Sequence, residues 1–321
     1  MGRGVKAAVI IAAVLLVLAA AFALIIRRIM RLVFGRVSPE TTPNGHLLEP
    51  QWRSFLGELG DSAERVHESI TDRVYIRSFD GLRLAGAVIR CPDARGTVIM
   101  VHGYHSFFDV DFGLTAELCR SLGLNVLLIT LRGHGESEGE TVTFGLKERC
   151  DVRDWARFAE HYFPNLPIIL AGISMGASSV LFAAALELPK AVKGIIADCG
   201  YTSPWDEIAY VMKHDYRLPQ WPLLNIIDFI FTKKEGVSLR AASSIEAMKQ
   251  CRIPVLFIHG AADRFVPCDF TIEAYRACAA KKRLLIIDSA SHASSYLAGR
   301  KEYEAAVREF VGGILRGEPN G

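Results

Sequence analysis

Short, continuous apolar runs recur through most of the chain, with amphipathic stretches between them. Six runs of three or four apolar residues lie at positions 98–101, 126–129, 168–171, 195–197, 255–258 and 284–287. Apolar runs without polar alternation are typical of strands that helices cover on both faces. In one intervening segment Trp155, Phe158, Ala159 and Tyr162 follow helical spacing, so one face of that segment is apolar. The pattern predicts an α/β fold with a mostly parallel sheet flanked by helices.

Two more elements are predicted before the first of these runs. Residues 74–79 and 82–89, joined by Asp80-Gly81, predict a leading β-hairpin and bring the expected sheet to eight strands. Upstream, four apolar residues at helical spacing predict a short amphipathic helix: Trp52, Phe55, Leu56 and Leu59. We expect this stripe to pack against the domain that follows, with the membrane surface as the alternative.

The first 36 residues predict a membrane anchor. Residues 7–26 carry no charge, and twenty helical residues span about 30 Å, the thickness of a bilayer core. A cleaved signal peptide is the alternative, because Ala21-Phe22-Ala23 offers a small-x-small site. The apolar stretch exceeds the usual signal core of roughly 7 to 15 residues, which favours an uncleaved, single-pass anchor at the membrane.

Charge is distributed unevenly along the chain. The first 36 residues contain no acid and six basic residues: Arg3, Lys6, Arg27, Arg28, Arg31 and Arg36. Because these residues flank the apolar stretch on both sides, the positive-inside rule scores the two membrane orientations almost equally. It slightly favours a cytoplasmic location for the domain that follows. Removing the six from the 37 basic residues leaves 31 against 35 acidic residues. A mildly acidic body argues against a nucleic-acid partner.

Composition completes the predicted organisation. Turn-forming residues at 38–45 predict a linker, so we expect an anchor at 1–36, a linker with the short helix at 37–71, and one domain at 72–321. The seven cysteines include no C-x-x-C pair, and their spacing indicates neither a disulfide framework nor a zinc site. No metal or cofactor is expected, and the oligomeric state is left open.

Polar residues follow the predicted strands where each strand ends, which is where an open α/β sheet presents its ligand crevice. Gly172-Ile173-Ser174-Met175-Gly176 lies between a strand and a helical stretch of small residues. In such a turn the strand and helix nearly touch, and glycine has no Cβ to clash. Four other strand ends carry polar motifs: His102-Gly103-Tyr104-His105, Leu131 to Gly139 (L-R-G-H-G-x-S-x-G), His259 to Asp263 (H-G-x-x-D) and Ser291-His292.

These five motifs, in this order, resemble the α/β-hydrolase superfamily from about residue 74 to 315. The resemblance is greatest to bacterial serine hydrolases of the esterase and serine-aminopeptidase type. It implies an α/β-hydrolase fold and hydrolysis by acyl transfer to a serine. Some members place a similar domain outside the cytoplasm after an N-terminal membrane segment, so the orientation stays open.

The resemblance implies a catalytic triad. Ser174 is the expected nucleophile, His292 the base that accepts its proton, and Asp263 the acid that orients the imidazole. Asp198, after the strand at 195–197, and Asp288, beside the last strand, are the alternative acids.

The other motif residues have expected supporting roles. The backbone N–H groups of Tyr104 and Met175 are expected to form the oxyanion hole. His102 and His134 are expected to shape their loops and Arg132 to brace the site, whereas His105 and Ser106 are expected to be solvated loop residues.

Residues 202–253 interrupt the alternation of strands and helices. Six aromatic residues are interspersed there with prolines: Trp205, Tyr210, Tyr216, Trp221, Phe229 and Phe231. We expect a helical cap in which some of these aromatics line an acyl or hydrophobic pocket, while most of them pack the cap itself. The predicted activity is hydrolysis of a carboxylic ester of a small molecule. A thioesterase, a small peptidase and a catalytically silent membrane-bound binding protein are the alternatives.

Overall fold

The computed structural model describes residues 2–37 and 50–317, and its centre is one eight-stranded sheet. The strands are β1 (Asp72–Arg77), β2 (Arg83–Ile89), β3 (Gly96–Val101), β4 (Leu124–Ile129), β5 (Ile168–Ile173), β6 (Val192–Asp198), β7 (Val255–Gly260) and β8 (Lys282–Ile287). Their order across the sheet is β1-β2-β4-β3-β5-β6-β7-β8. The hairpin β1–β2 joins β4 in antiparallel register, and every pairing from β4 to β8 is parallel. The predicted fold class is therefore confirmed.

Twelve helices occur among the described residues. They are α1 (Arg3–Phe34), α2 (Pro50–Arg53), α3 (Leu56–Ser69), α4 (Phe108–Ser121), α5 (Glu148–Tyr162), α6 (Met175–Ala183), α7 (Pro204–His214), α8 (Leu223–Glu235), α9 (Ser244–Gln250), α10 (Cys268–Ala277), α11 (Ser295–Ala298) and α12 (Arg300–Leu315). Strands β3, β4, β5 and β7 are buried along their whole length, as their unbroken apolar runs require.

The predicted short helix at Trp52–Leu59 is wrong in extent and right in its packing. The segment forms the end of α2 and the start of α3, and the chain turns between them at Ser54-Phe55. Trp52 is buried with Leu114 and Leu297, so the stripe packs on the domain and the membrane-surface alternative is wrong. Leu56, in contrast, is exposed.

The N-terminal helix α1 is long and apolar enough to cross a membrane, with a mean hydropathy of 3.3 over its most apolar window. Its last residues do not stand apart from the domain. Phe34 and Val37 are buried, and the Phe34 ring packs on Phe144 and Phe231 at centroid distances of 5.5 and 4.7 Å. The packing therefore continues across the boundary predicted at residue 36.

Backbone hydrogen bonds fix this junction. The Val142 N–H donates to the Phe34 carbonyl at 2.8 Å, and the Val37 N–H donates to the Gly133 carbonyl at 2.7 Å. The Arg36 guanidinium donates to three carbonyls of the loop that follows β4, those of Gly135, Ser137 and Gly139. Arg36 therefore fastens this loop in addition to adding charge beside the apolar helix. The linker predicted at 38–45 lies outside the described residues.

The predicted cap corresponds to helices α7, α8 and α9, which lie between β6 and β7. Helix α7 begins at Pro204 after Ser203, whose hydroxyl accepts the Asp206 N–H at the helix start. The buried side chains Ile208, Met212 and Ile227 join the cap to the main core.

Candidate active site

Ser174 lies on a sharp turn between β5 and α6, with φ 55° and ψ −117°. A positive φ is strained for a residue with a side chain and is typical of a nucleophile elbow. A Cβ on Gly172 would lie 2.3 Å from the Gly176 backbone, and a Cβ on Gly176 would lie 1.8 Å from the Val101 carbonyl oxygen. The predicted need for both glycines is confirmed, because neither position has room for a side chain.

The structure brings Ser174, His292 and Asp263 into one chain of hydrogen bonds. Ser174 Oγ lies 3.0 Å from His292 Nε2, and His292 Nδ1 lies 2.7 Å from Asp263 Oδ2. All three side chains are buried. This geometry lets the imidazole accept the serine proton while the carboxylate holds the ring in the required tautomer.

Asp263 is held in place by its own loop. Its second oxygen, Oδ1, accepts the backbone N–H groups of Phe265 and Val266, both at 2.9 Å. Burial alone would raise the pKa of this carboxyl, but the charges and hydrogen bonds of His292 and His259 outweigh it and lower the pKa well below the usual range. Asp263 is therefore an anion that can stabilise an imidazolium.

The two alternative acids lie elsewhere. Asp198 is buried, but its Oδ1 accepts the Ser295 hydroxyl at 2.9 Å, and burial raises its pKa to about 6. Asp288 is exposed in the turn after β8. Among these acids, Asp263 is the one whose carboxylate contacts the His292 ring.

The expected oxyanion donors flank Ser174. Within residues 2–37 and 50–317, the backbone N–H groups of Met175 and Tyr104 have no hydrogen-bond acceptor in the protein. The turn before Tyr104 is held by Asp111, whose carboxylate accepts the Gly103 N–H at 2.7 Å and the Ser106 hydroxyl at 2.6 Å. Both N–H groups are therefore available to a ligand beside Ser174.

The expectation that His105 and Ser106 are solvated is wrong. Ser106 is buried against Asp111, and His105 stacks on Tyr104 with ring centroids 3.8 Å apart. Burial lowers the pKa of His105 to about 4, so the ring is neutral near pH 7. Both residues are part of the packed turn.

The remaining motif residues act on the loops around the site. His102 Nε2 accepts the Leu131 N–H at 3.0 Å, and burial lowers the pKa of His102, which keeps the ring neutral. Buried Arg132 donates two hydrogen bonds to Asp151 and two to Asp80. Burial acts to lower the pKa of Arg132, but these carboxylates outweigh it and raise the pKa. Arg132 therefore joins the β4 loop to the β1–β2 hairpin.

The residues that hold the His292 loop were not predicted from the sequence. Trp52 Nε1 donates to the His292 carbonyl at 3.1 Å. Gln51 Oε1 accepts the Ser291 N–H at 2.8 Å, and Gln51 Nε2 donates to the Ser289 carbonyl at 2.9 Å. The burial of Trp52 was predictable from its apolar stripe, but its partner lies 240 residues away along the chain. Asp111, in the first turn of α4, was not predicted either, although its partners Gly103 and Ser106 lie only eight and five residues away along the chain.

Cys199, Asp263 and His292 offer three ligand atoms within 4.8 Å of one another. A metal would need the cysteine as a thiolate, and burial raises the pKa of the Cys199 thiol well above its usual value. It would also have to break the hydrogen bond between Asp263 and His292. These residues fit a hydrogen-bonded triad better than a metal site.

A cavity of about 370 Å³ opens beside Ser174 under the cap. Its walls are mostly apolar and come from three sources: the turns around the site, the cap helices α7 and α8, and the last turns of α1. Members of each group are Tyr104, Phe144, Met212, Ile227, Val33 and Phe34. The volume lies within the range of small-molecule sites, roughly 300–1,000 Å³.

One carboxyl breaks the apolar lining of this cavity. Glu207 is buried, and among the described residues neither of its side-chain oxygens has a hydrogen-bond partner. The Tyr201 hydroxyl, on another residue that lines the cavity, also lacks one there. Burial raises the pKa of Glu207 well above its usual value, which favours the neutral acid. Unpaired buried polar groups are costly, so the pair is suited to a polar group of a ligand.

Two solved structures share this fold. An esterase from Pyrococcus furiosus, Pf2001, aligns with a TM-score of 0.61 at 22% identity and covers 75% of this chain and 91% of its own. An acylaminoacyl peptidase from Pyrococcus horikoshii aligns with a TM-score of 0.58 at 18% identity and covers 80% of this chain and 44% of its own.

Sequence comparison places the chain in a family. The Bacillus subtilis protein YqkD is 31% identical over 237 residues, which are 74% of this chain and 77% of YqkD. WAV2 of Arabidopsis thaliana, an α/β hydrolase domain-containing protein, is 23% identical over 265 residues, 75% of this chain and 79% of WAV2. A family model described as serine aminopeptidase, S33, matches residues 92–233. The chain therefore belongs to the α/β hydrolases of this serine aminopeptidase family.

Proposed function

We propose that the protein is a membrane-anchored serine hydrolase that cleaves a carboxylic ester through an acyl-enzyme intermediate on Ser174. The observation that carries the proposal is the hydrogen-bonded chain from Ser174 through His292 to Asp263, which ends at the wall of an apolar cavity. The same geometry argues against a catalytically silent binding protein, because that role does not require a base within hydrogen-bond distance of the serine.

The proposed reaction has two halves. His292 Nε2 takes the Ser174 proton as Oγ attacks the ester carbonyl, and the N–H groups of Tyr104 and Met175 bind the oxyanion. His292 then gives the proton to the departing alcohol, which leaves the acyl group on Ser174. Water, deprotonated by His292, attacks this acyl-enzyme. As the bond between the acyl carbon and Ser174 Oγ breaks, His292 returns the proton to Oγ and the carboxylic acid leaves.

Membrane anchoring is the second part of the proposal. Helix α1 has the length and apolarity of a span, and its final residues are integrated into the hydrolase core through Phe34 and Val37. Arg27, Arg28 and Arg31 follow the apolar stretch, where they can reach lipid phosphates.

A fluorophosphonate probe tests the covalent mechanism. We expect it to label the purified wild-type protein, and Ser174→Ala to abolish both labelling and hydrolysis of 4-nitrophenyl butyrate. Ser178→Ala is the matched control, since Ser178 lies one helical turn further along α6 and is absent from the lining of the cavity. A wild-type protein that binds no probe would contradict the proposal.

Glu207 favours a second candidate, release of an amino-terminal residue from a peptide. Its buried carboxyl shares the cavity with Ser174 and can pair with the ammonium group of such a substrate. The apolar walls favour the ester. Comparing an aminoacyl 4-nitroanilide with 4-nitrophenyl butyrate separates the two, because a peptidase cleaves the anilide and loses that activity in Glu207→Gln.

A further inference from the structure

We propose that the substrate is a single-chain lipid ester resident in the bilayer, and that the last turns of α1 form one wall of the pocket that receives its acyl chain. This inference rests on the proposed function and names its substrate class. It assigns to the membrane helix a role in substrate binding in addition to anchoring.

The wall is formed by four residues of α1 that line the same cavity as Ser174: Ile29, Leu32, Val33 and Phe34. They are fixed relative to the active site. The Tyr104 hydroxyl donates to the Val33 carbonyl at 2.9 Å, and Tyr104 is also the residue whose N–H faces the proposed oxyanion. The helix therefore cannot leave the site without disturbing the oxyanion turn.

The wall lies just outside the depth at which lipid esters are found. If residues 7–26 span the bilayer core, a rise of 1.5 Å per residue puts Ile29 about 4 Å and Phe34 about 12 Å beyond the core edge. The headgroup layer on each side is roughly 5–8 Å thick. Lipid ester bonds lie at the inner edge of that layer, so an ester needs to move outward by only about 10 Å to reach the cavity.

The rim of the cavity is apolar and exposed. Among the residues that line it, Leu32 is 60% exposed, Tyr216 68% and Leu218 41%. Trp221 and Phe229, in the neighbouring part of the cap, are 78% and 63% exposed. Exposed aromatics of this kind are typical of membrane interfaces, where the ring is buried among lipids and its polar edge meets water. The opening therefore faces lipid.

The size of the cavity indicates one acyl chain. One water molecule occupies about 30 Å³ of liquid, close to the volume of a methylene group, so 370 Å³ holds roughly a dozen chain carbons. The unpartnered Glu207 and Tyr201 groups can hydrogen-bond the hydroxyls of an alcohol such as glycerol.

The experiment uses full-length protein in phosphatidylcholine vesicles and two substrates with the same alcohol, 1-monododecanoylglycerol and 1-monobutyrylglycerol. We expect wild type to prefer the twelve-carbon ester. Ile29→Trp fills the wall and should lower the ratio of the two kcat/KM values about 10-fold. Ile25→Trp is the matched control, because Ile25 lies one turn earlier, is exposed and is absent from the cavity lining, and its ratio should stay within about 2-fold.

Three outcomes would overturn the inference. The first is equal cleavage of the two esters by wild type. The second is an equal ratio of the two kcat/KM values in Ile29→Trp and Ile25→Trp. The third is an equal rate whether the dodecanoyl ester is supplied in the enzyme's own vesicles or in separate ones. The last result would mean that the ester arrives from water. Fluorophosphonate labelling of every variant shows that the site is folded. Failure of the wild-type protein to label would contradict the proposed function itself. This result can therefore be distinguished from a failure of the inference about the lipid substrate.

Discussion

Asp263, Asp198 and Glu207 are buried carboxyls around one site, and they differ in what their oxygens contact. Asp263 contacts His292, His259 and two backbone N–H groups, and the charges and hydrogen bonds of the two histidines outweigh burial and lower its pKa. Asp198 accepts one serine hydroxyl, and its pKa is raised to about 6. Glu207 has no partner among the described residues, and its pKa is raised further above its usual value. Burial is common to all three, so the charged and hydrogen-bonding partners of each carboxyl decide its charge.

Replacing the two aspartates one at a time should separate their roles. Asp263→Asn leaves the imidazole without its acceptor and favours the wrong tautomer, so kcat should fall about 10³- to 10⁴-fold. Asp198→Asn keeps an oxygen acceptor for Ser295, and kcat should change by less than about 3-fold. Steady-state hydrolysis of 4-nitrophenyl butyrate measures both. A larger loss in Asp198→Asn would move the orienting acid to that position.

Glu207 should make the folded protein less stable as the pH rises. Because the pKa of Glu207 is raised, the folded state binds this proton more tightly than the unfolded chain does. The stability that the proton contributes is fully present below about pH 4.5 and is lost as the pH rises toward the raised pKa. Glu207→Gln removes the titration. The unfolding free energy of the variant minus that of wild type should therefore grow between pH 5 and pH 8.

Chemical denaturation at the two pH values in detergent measures this difference. Exposed Glu187→Gln is the control and should show the same difference at both pH values. A pH-independent difference for Glu207→Gln would mean that the carboxyl has a partner in solution.

At the scale of the element, the turn between β5 and α6 depends on the close approach of α6 to the end of β3. Gly176→Ala would push a methyl group into the Val101 carbonyl, 1.8 Å away, with backbone on both sides. We expect it to cost more than about 3 kcal/mol and to abolish probe labelling. Gly60→Ala, in α3 with nothing within 4 Å, should stabilise by about 0.5–1 kcal/mol. Thermal unfolding compares them, and a stable, labelled Gly176→Ala protein would contradict this packing.

The elements that the sequence predicts are those whose pattern is local. Strands such as β3 and β7 are continuous apolar runs, and the fold places motif residues at their ends. The roles of Ser174, Asp263 and His292 were implied by the resemblance of the five motifs to the α/β-hydrolases. The break between α2 and α3 could not be predicted from the sequence. It depends on Trp52 reaching under the His292 loop, a contact 240 residues apart that no local spacing encodes. The role of Arg36 in holding its loop belongs to the same class, because its partners lie 99 to 103 residues away along the chain.

On the scale of the whole molecule, the apolar N-terminal stretch and the catalytic domain were predictable separately, but their fusion was not. Phe34 is one more apolar residue in the sequence, and only its contacts with Phe144 and Phe231 show that the helix is continuous with the core.

The docking of α1 on the loop from Gly133 to Val142 fixes more than the architecture. If the protein is anchored and takes a lipid ester, as proposed, the tight junction between helix and domain means that enzyme and substrate meet in two dimensions. Turnover would then follow the mole fraction of substrate in the surface, and inert phospholipid would slow the reaction by dilution within the plane while the amount of substrate per litre stayed constant.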